Sequence, residues 1–343
     1  MDEESLVYVE REQLRQLFIE KLTKAGLPAI YANKTADLML FADERGIHSH
    51  GSVRMQYYAE RIMKQGINLS PELKFTQTGP STGTYFGDNT VGHYVAYEAM
   101  KEAISLAKSN GIGVVGVREI GHSGAIGYYA QQAAYEGMVA LTVCQSDPMV
   151  VPFGGTKPYF GTNPIAFAAP RQSGEPLLFD MATTVQAWGK ILDARSKHKS
   201  IPETWAVDEQ GQPTTDPYKV FALLPVAGPK GYGLMMMIDI LAGSLLGLPF
   251  GKHVSSMYED LSQYRRLGQF HIVINPAFFG DEQQFLNQIT EMVNELHAID
   301  PAQGFDQVYY PGEIQETVKQ RYAESGIPIA RSIYEYLISD EIY

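Results

Sequence analysis

The sequence is poor in cysteine, because its 343 residues include only one, Cys144. A single cysteine excludes a disulfide within the chain, and with it the class of small domains that disulfides stabilise. Cys144 lies in an apolar run, MVALTVCQ, where a buried and inert thiol is a better interpretation than a nucleophile. The first residues, MDEESLVYVERE, are acidic and lack an apolar core, which predicts no signal peptide and a cytoplasmic protein.

Basic residues are also scarce. Lys and Arg number 27 against 39 Asp and Glu, which gives a formal net charge of −12. This balance argues against nucleic acid and anionic membrane surfaces as partners. The longest apolar run lies within residues 229–248 and contains Asp239; at about 17 residues it is marginal for a membrane span. We interpret it as a buried helix packed at a subunit interface.

Most short motifs that identify an active site are absent. The sequence has no His-Glu-x-x-His motif, no Cys/His cluster and no Gly-x-Ser-x-Gly elbow. His48 and His50 form a weak zinc signal, so we expect no metal, and a metal-dependent hydrolase that uses this pair is an alternative. The text GIGVVG at residues 111–116 matches the dinucleotide fingerprint, but here a helix precedes the glycines and a strand contains them. The fingerprint requires the reverse order, so we reject a Rossmann site.

Apolar periodicity divides the chain into two parts. Residues 10–25 and 28–45 have helical spacing, and each segment is followed by a glycine, Gly26 or Gly46, that can end a helix. From residue 73 onward strands alternate with helices, which predicts an α/β class. We predict a helical N-terminal segment, 1–72, completed by 313–343, and an α/β NAD-binding domain, 73–312. Within the second part, 197–218 is polar and is interpreted as a surface excursion.

Residues 43–58, DERGIHSHGSVRMQYY, hold a dense group of polar side chains. A helix that starts near Ser49 would aim Ser49, His50, Arg54 and Tyr58 toward one point. Arginine binds a carboxylate through paired hydrogen bonds, and the unperturbed pKa of histidine lies near neutrality. A 2-hydroxy acid needs both kinds of group. The alternative is a capped surface helix in which Ser49 is the N-cap and Arg54 is solvated.

Two more candidates stand at the ends of predicted strands. His122 lies between glycines, after one strand and before a helix, a position at which α/β sheets gather ligands. It could equally be a loop residue without a task, with Ser123 as the helix cap. Asp180, inside the apolar run LLFDMA, must be paired if it is buried. It could accept from a ribose or a nicotinamide amide, or cap a helix that begins at Thr183.

Long blocks of the sequence resemble the type-2 malate/L-lactate dehydrogenase superfamily. They are HSHGSVRMQYY, GHSGAIGYY, CQSDPMVVPFGG, YFGTNPIAFAAP, FDMATTVQAWGK and GPKGYGLMMMIDILAG. The resemblance implies an α/β NAD(P)-binding fold that is not Rossmann, with a helical domain built from the N- and C-terminal segments. It also implies NAD as cofactor and a homodimer or higher homo-oligomer with sites near subunit interfaces.

The resemblance implies an activity as well. The blocks look most like those of members that oxidise (S)-ureidoglycolate to oxalurate with NAD⁺ in allantoin degradation, a part of purine metabolism that releases nitrogen. Sibling enzymes that act on malate, lactate, sulfolactate or a keto-sugar acid are the first alternative, and NADP in place of NAD stays open. A binding protein that keeps the pocket without turnover is the second.

Roles follow from the resemblance, motif by motif. His122 would be the general base, His50 and Ser49 further catalytic residues, and Arg54 the group that binds the substrate carboxylate. Additional substrate contacts would come from Tyr58, Asn163 and Lys190. The residues expected to lie against NAD are Ser146, Asp180, Met181, Ala182, Lys230, Pro311, Gly312 and Glu313.

One position departs from the pattern of imino-acid-reducing relatives. Those proteins pair the Ser-His dipeptide with an aspartate downstream of the DMAT motif, and the corresponding residue here is Lys190. A relay of Ser49, His50 and an aspartate is therefore doubtful, which favours His122 over His50 as the base without excluding His50. Lys190 would instead serve an anionic or ureido-bearing substrate. Unchanged substrate affinity in Lys190→Ala would remove that role.

Overall fold

The computed structural model describes residues 6–343, which form helices and strands in alternation. The helices are α1 Arg11–Lys24, α2 Ala29–Glu44, α3 Met55–Met63, α4 Gly92–Asn110, α5 Gly127–Tyr135, α6 Trp188–Ser196, α7 Pro229–Ala242, α8 Glu282–His297, α9 Glu313–Ser325 and α10 Arg331–Ile338. The strands are β1 Leu6–Val9, β2 Lys74–Gly79, β3 Thr82–Phe86, β4 Ile112–Ile120, β5 Val139–Cys144, β6 Ile165–Ala169, β7 Leu177–Met181, β8 Ala206–Val207, β9 Ala222–Leu223, β10 Leu267–Ile274 and β11 Ile327–Ala330.

Seven strands form one mixed sheet in the order β2-β3-β4-β10-β5-β6-β7. β3 and β4 are parallel, whereas β10 is antiparallel to both β4 and β5. β6 is likewise antiparallel to both β5 and β7. Strands β3, β4, β5 and β7 therefore end at one edge of the sheet, which we call the carboxyl edge; their last residues are Phe86, Ile120, Cys144 and Met181. Ligands of open α/β sheets usually bind beyond such an edge.

The close packing of α4 on β4 explains the glycines of the rejected fingerprint. α4 ends at Asn110, and Gly111 takes a left-handed φ of +81°. A Cβ on Gly113 would lie 1.9 Å from the carbonyl oxygen of Ala103, so that only glycine lets the helix approach the strand this closely. The order of helix, glycine and strand is the predicted one, and the rejection of a Rossmann site is confirmed.

The two ends of the chain pack together. β1 pairs with β11 in an antiparallel ladder. Helices α1, α2 and α3 share with α10 a core that includes Leu14, Phe18, Met39 and Leu337. The sheet has its own core under α4 and α5, which includes Met100 and Tyr129. The segments predicted to complete each other are thus in contact, while the boundary at residue 72 stays a prediction.

Most of the segment 197–218 is exposed, as its composition predicts, but it also contains a buried strand. Its residues Ala206 and Val207 form β8, which pairs with β9. Both are buried, and Trp205 packs on the same cluster as Ile191 and Leu223. The sequence did not reveal this strand, because two residues are too short for a periodic pattern and polar residues and prolines flank them.

Helix α7 is buried on one face only. Ile238 and Ala242 are buried, whereas Met236, Met237 and Ile240 are 38%, 43% and 51% exposed. The predicted helix is present, and its exposed apolar face is of the kind that a second chain covers, while the subunit interface stays a prediction. Among the helices of residues 6–343, none combines the length and the apolar character that crossing a membrane requires.

His271, on β10, is a fully buried titratable group of the sheet. Its Nδ1 lies 2.9 Å from Thr142 Oγ1, and its Nε2 lies 3.1 Å from the carbonyl oxygen of Ala96. Burial lowers the pKa of His271 to about 3. In the unfolded chain the His271 ring binds a proton with a pKa near 6.5, whereas in the folded chain it stays neutral until about pH 3. The free energy of unfolding therefore decreases as the pH falls from 6.5 toward 3.

We expect His271→Gln to reduce the sensitivity of the fold to acid. Between pH 6 and pH 5 the free energy of unfolding of the wild type should fall by about 1 kcal/mol more than that of the variant. Denaturant unfolding at the two pH values measures both differences. An equal fall in the two proteins would contradict the buried neutral ring.

Candidate active site

Residues 43–58 do not form the single helix predicted to start near Ser49. Two short 3₁₀ turns, His48–His50 and Ser52–Arg54, precede α3. The chain breaks because the buried Asp43 carboxylate accepts from the Ser52 N–H at 2.6 Å, and a Cβ on Gly51 would lie 2.1 Å from that side chain. The predicted helix start is wrong, and so is the alternative in which Ser49 is its N-cap.

Arg54 is held by two hydrogen bonds rather than solvated. Its Nε donates to the carbonyl oxygen of Ser49 at 2.7 Å, and its Nη1 donates to the hydroxyl of Tyr258 at 2.7 Å. Its Nη2 has no hydrogen-bond partner within residues 6–343. The guanidinium is therefore fixed in place with donors still available, which is what binding a carboxylate requires.

His122 lies at the carboxyl edge, two residues beyond β4, and it is half-buried. Its Nδ1 is 2.7 Å from the hydroxyl of Tyr58, and its ring stacks on that of His50 with centroids 5.8 Å apart and an interplanar angle of 18°. Ser49 Oγ lies 2.9 Å from His50 Nδ1. His122 is distant in sequence from the others, yet it forms one cluster with His50, Arg54 and Tyr58. The convergence that the sequence predicted is present, while the role of each residue stays a prediction.

The electrostatics of this cluster keep its histidines neutral. Burial, followed by the charge of Arg54, lowers the pKa of His50 to about 4. Burial, the neighbouring His50 and Arg54 lower the pKa of His122 well below its ordinary value. Burial also raises the pKa of Tyr58. At neutral pH the two imidazoles are therefore uncharged, the form in which either could accept a proton.

Tyr58 and Asn163 are predicted substrate contacts whose polar atoms already have partners. The buried Tyr58 hydroxyl contacts His122 and His93. Asn163 is fully buried; its Oδ1 accepts from the Ser146 N–H at 3.1 Å, and its Nδ2 donates to the Met235 carbonyl oxygen at 3.1 Å. The structure thus places Tyr58 behind His122, and Asn163 as a link between the loop after β5 and α7. Their substrate contacts stay predictions.

Asp180, on β7, is the helix cap that one interpretation suggested, but for another helix. Its Oδ2 accepts from the N–H of Gly127, the first residue of α5, at 2.7 Å. The helix after Thr183 begins only at Trp188, so the expected cap there is wrong. Ser123 does not cap α5 either, because its Oγ donates to Gln269 Oε1 at 2.7 Å.

The other predicted cofactor residues lie in three places: the carboxyl edge, the start of β7 and the first turn of α7. Ser146 follows β5, Met181 ends β7, and Ala182 comes directly after that strand. The Pro311 carbonyl oxygen accepts from the Leu178 N–H at 3.2 Å, which pins the turn before α9 on β7. In that turn Gly312 has a φ of +94°, and Glu313 Oε1 lies 2.8 Å from His297 Nε2. Lys230 is exposed in the first turn of α7.

Lys190 is the predicted site residue that the structure does not bring to this cluster. It is exposed on α6 near Asp193, whose pKa is lowered first by the hydrogen bond from Lys197 and to a smaller extent by the charge of Lys190. Its contribution to substrate binding stays a prediction.

Two residues of the cluster were missed. His93, at the start of α4, is buried beside Tyr58, and Tyr258 holds Arg54. His93 could have been found from a parallel pairing of β3 and β4, because α4 then begins at the carboxyl edge that also holds His122. Tyr258 lies in a loop between elements, where the sequence has no periodic signal.

The described residues supply neither a set of metal ligands nor a reactive thiolate. Residues 6–343 contain no group of three or more His, Cys, Asp or Glu side chains arranged to hold an ion. His48 Nδ1 lies 3.1 Å from Asp43 Oδ1, and His50 contacts Ser49. Burial raises the pKa of the Cys144 thiol to about 12, which opposes a thiolate nucleophile.

We expect activity to survive removal of metal ions. Dialysis against a chelator, followed by assay in the same buffer, should leave the turnover rate unchanged, since no cluster of ligands would lose an ion. Loss of activity that zinc restores would favour the hydrolase that uses His48 and His50.

Comparison with known proteins identifies the family. The family described as malate/L-lactate dehydrogenase matches residues 9–338. A ureidoglycolate dehydrogenase (NAD(+)) from Escherichia coli K12 is 57% identical over 335 residues, which cover 98% of this chain and 96% of that protein. The chain belongs to the malate/L-lactate dehydrogenase family. The predicted family is confirmed, and with it an oxidoreductase that acts on a CH–OH group.

More distant members of the malate/L-lactate dehydrogenase family share the whole architecture. A malate dehydrogenase from Pyrococcus abyssi is 39% identical over 345 residues, covering 98% of this chain and 94% of that protein. The solved structure of a sulfolactate dehydrogenase from Methanocaldococcus jannaschii superposes with a TM-score of 0.90 at 37% identity, covering 96% of this chain and 95% of that chain. The predicted non-Rossmann α/β fold class is confirmed by this agreement.

Proposed function

We propose that this chain oxidises (S)-ureidoglycolate to oxalurate with NAD⁺. One observation carries the proposal: Arg54 and His122 belong to a single cluster at the carboxyl edge, joined through Tyr58 and His50. The Arg54 guanidinium can bind a carboxylate, and the His122 imidazole can accept the proton of a hydroxyl on the neighbouring carbon. The 57% identity to a protein named ureidoglycolate dehydrogenase (NAD(+)) supports this substrate over the siblings, which are 39% identical or less among the relatives reported above.

The residues assigned to the cofactor fit a nicotinamide dinucleotide. Asp180 uses Oδ2 to accept from Gly127, which leaves Oδ1 as an acceptor for a hydroxyl or an amide. Burial raises the pKa of Asp180 to about 6, so the carboxylate form still predominates at neutral pH. Lys230 adds a cation at the N-terminus of α7, and both features favour an anionic pyrophosphate. A Cβ on Gly312 would lie 2.6 Å from the Leu178 carbonyl oxygen, so glycine is needed for the turn to pack on the start of β7.

The chain's own residues position the substrate and move one proton. Arg54 binds the carboxylate and so fixes the neighbouring carbon against the carboxyl edge. His122 accepts the hydroxyl proton on its imidazole, in which Nδ1 contacts the Tyr58 hydroxyl and the Gly124 N–H and Nε2 is the ring nitrogen left for the substrate. Ser49 and His50 line the same space and hold further polar atoms of the substrate. NAD, when bound, supplies the acceptor for the hydride, and the balanced reaction gives oxalurate, NADH and one proton.

The remaining parts of the proposal concern assembly and place. A homodimer or larger homo-oligomer is supported by the exposed apolar face of α7, Met236, Met237 and Ile240. We propose that the chain acts in the cytoplasm, in allantoin degradation. The single cysteine supports the location, because a chain without an internal disulfide does not need an oxidising compartment to fold.

A substrate panel tests the proposed reaction. The acids are racemic ureidoglycolate, malate, lactate, sulfolactate and a keto-sugar acid, each assayed with NAD⁺ and with NADP⁺ by the absorbance of the reduced nucleotide. We expect the highest kcat/KM for ureidoglycolate with NAD⁺. A higher value for malate or sulfolactate would favour the sibling dehydrogenases. Binding of NADH without turnover of any acid would favour a binding protein.

A further inference from the structure

Arg61 is a buried cation that the proposed reaction does not use. It lies on α3 and is 2% exposed. Its Nη2 donates to the carbonyl oxygen of Gln263, in the exposed loop before β10. Its Nε and Nη1 are buried and have no hydrogen-bond partner within residues 6–343. A buried donor without a partner is costly, and more so when it carries a charge.

The charge of Arg61 also lacks a buried counter-charge. The acidic residue that acts on it is Asp260, whose carboxylate is exposed and accepts from the Ser262 N–H. Burial lowers the pKa of Arg61, and the charge of the nearby Arg265 lowers it further. Arg265 is itself 3% exposed, and its partner is Asp147 at 3.2 Å. Two buried arginines thus share one buried carboxylate, whereas buried charges are ordinarily paired.

Arg61 lines a cavity of about 10 Å³, which is the volume that one water molecule needs. The hydroxyl of Tyr57, on the same wall, is buried without a hydrogen-bond partner of good geometry. None of the residues that line the cavity is acidic. Burial lowers the pKa of His93, another wall residue, to about 3, and His122 beside it is neutral as well. Among the residues that line this cavity, Arg61 alone is charged.

We propose that this cavity binds a halide ion, chloride under ordinary conditions, through Nε and Nη1 of Arg61 and the hydroxyl of Tyr57. These groups supply hydrogen-bond donors and one positive charge, and a water molecule would leave that charge uncompensated. Chloride is only slightly larger than water, and the long Arg61 side chain can give way by the difference. Tyr58, which contacts Nδ1 of His122, also lines the cavity, so the ion lies on the Nδ1 side of that ring and outside the substrate space.

A negative charge in this cavity favours the protonated form of His122, because an opposite charge nearby stabilises an imidazolium. Chloride should therefore accelerate a reaction in which His122 accepts a proton. It should also stabilise the fold, because an ion that binds only the folded chain opposes unfolding. The effect on rate rests on the proposed function of His122, whereas the effect on stability does not.

A chloride titration of the full-length enzyme tests the site. Sodium chloride replaces sodium sulfate at constant ionic strength, since sulfate is too large for the cavity, and ureidoglycolate and NAD⁺ are kept at saturation. We expect kcat to rise about 3- to 10-fold and to saturate, with KM not raised. The melting temperature should rise by a few degrees over the same range of concentration. Sodium bromide should act as sodium chloride does.

Two variants assign the response to Arg61. Arg61→Gln removes the charge, so neither kcat nor the melting temperature should respond to chloride. Arg61→Lys keeps the charge with fewer donors, so it should respond at higher chloride concentration. Arg15→Gln is the matched control, because Arg15 is a part-buried arginine that has its own partner, Asp37 at 2.8 Å. Its chloride response should equal that of the wild type.

Crystals of the enzyme soaked in sodium bromide locate the ion by its anomalous scattering. We expect one bromide within hydrogen-bond distance of Arg61 Nη1 and the Tyr57 hydroxyl, and none there in Arg61→Gln. A cavity that holds only water would overturn the proposal, and so would equal melting temperatures in chloride and sulfate. Chloride that competes with ureidoglycolate and raises its KM would make the cavity a part of the substrate site, which also contradicts the proposal. The bromide and melting measurements need no turnover, so failure of the substrate panel leaves them intact.

Discussion

His122→Ala is expected to lower kcat by about 10²–10⁴-fold, the usual contribution of a general base. Its Nδ1 contacts Tyr58, which leaves Nε2 as the ring nitrogen available to the substrate. The Kd of NADH, measured by fluorescence titration, should change little, because the residues expected to hold the cofactor lie around β7 and α7. Steady-state kinetics with ureidoglycolate and NAD⁺ give the kcat.

The control for this change is His198→Ala, which removes an exposed histidine that contacts Tyr218. It should leave kcat within about twofold of the wild type, since surface substitutions are usually small in effect. If His122→Ala kept most of its turnover while His50→Ala lost it, the base would be His50 and the assignment of His122 would be wrong.

The pH dependence of the same rate should show where the base titrates. Burial, with His50 and Arg54, lowers the pKa of His122 below its ordinary value, so the neutral form persists into mild acid. We expect kcat/KM for the oxidation to stay level from pH 8 down through the ordinary histidine pKa of about 6.5 and to fall only below it. A fall that is already complete at neutral pH would contradict a buried base.

Arg54→Ala should weaken substrate binding more than any other single change in the cluster. A hydrogen bond to a charged group contributes about 1.5–3 kcal/mol, which corresponds to about a 10- to 100-fold rise in KM. Arg54→Lys keeps the charge and loses the paired donors, so its KM should lie between those of the wild type and Arg54→Ala. Initial-rate kinetics at saturating NAD⁺ measure all three.

Arg331→Ala, which removes an exposed arginine of α10, controls for the loss of a positive charge. Its KM should equal that of the wild type. An Arg54→Ala variant with unchanged KM would mean that the carboxylate binds elsewhere, and Lys190 would be the next candidate.

The helical periodicity of residues 10–25 and 28–45 predicted α1 and α2, and the alternation of strands and helices from residue 73 predicted the α/β class. The strand at 112–120 and the hairpin of β6 and β7 are present because continuous apolar runs bounded by turns favour buried strands. The strands β1, β11 and β8 were not predicted, since segments of two to four residues are too short to show a period. These strands form because they pair with segments that are distant in sequence, and a local sequence pattern contains no information about such partners.

The candidate site was predictable where residue type determines chemistry. Arg54 was identified from what a carboxylate needs, and His122 from its position after a strand, with its role as base implied by the family resemblance. The fold brings the two residues into one cluster. His93 was missed because it joins the cluster through a contact with Tyr58, which is 35 positions away in the sequence. The break at Gly51 was missed for a similar reason, since it depends on the burial of Asp43 against that backbone.

A crystal structure of the enzyme with NADH and oxamate, an unreactive analogue of a 2-oxo acid, tests the central claim most directly. The claim is that Arg54 and His122 act on adjacent atoms of one substrate. We expect the oxamate carboxylate to pair with the Arg54 guanidinium, and its carbonyl oxygen to lie within hydrogen-bond distance of Nε2 of His122. A carboxylate bound away from Arg54, or a carbonyl oxygen out of reach of His122, would contradict the account.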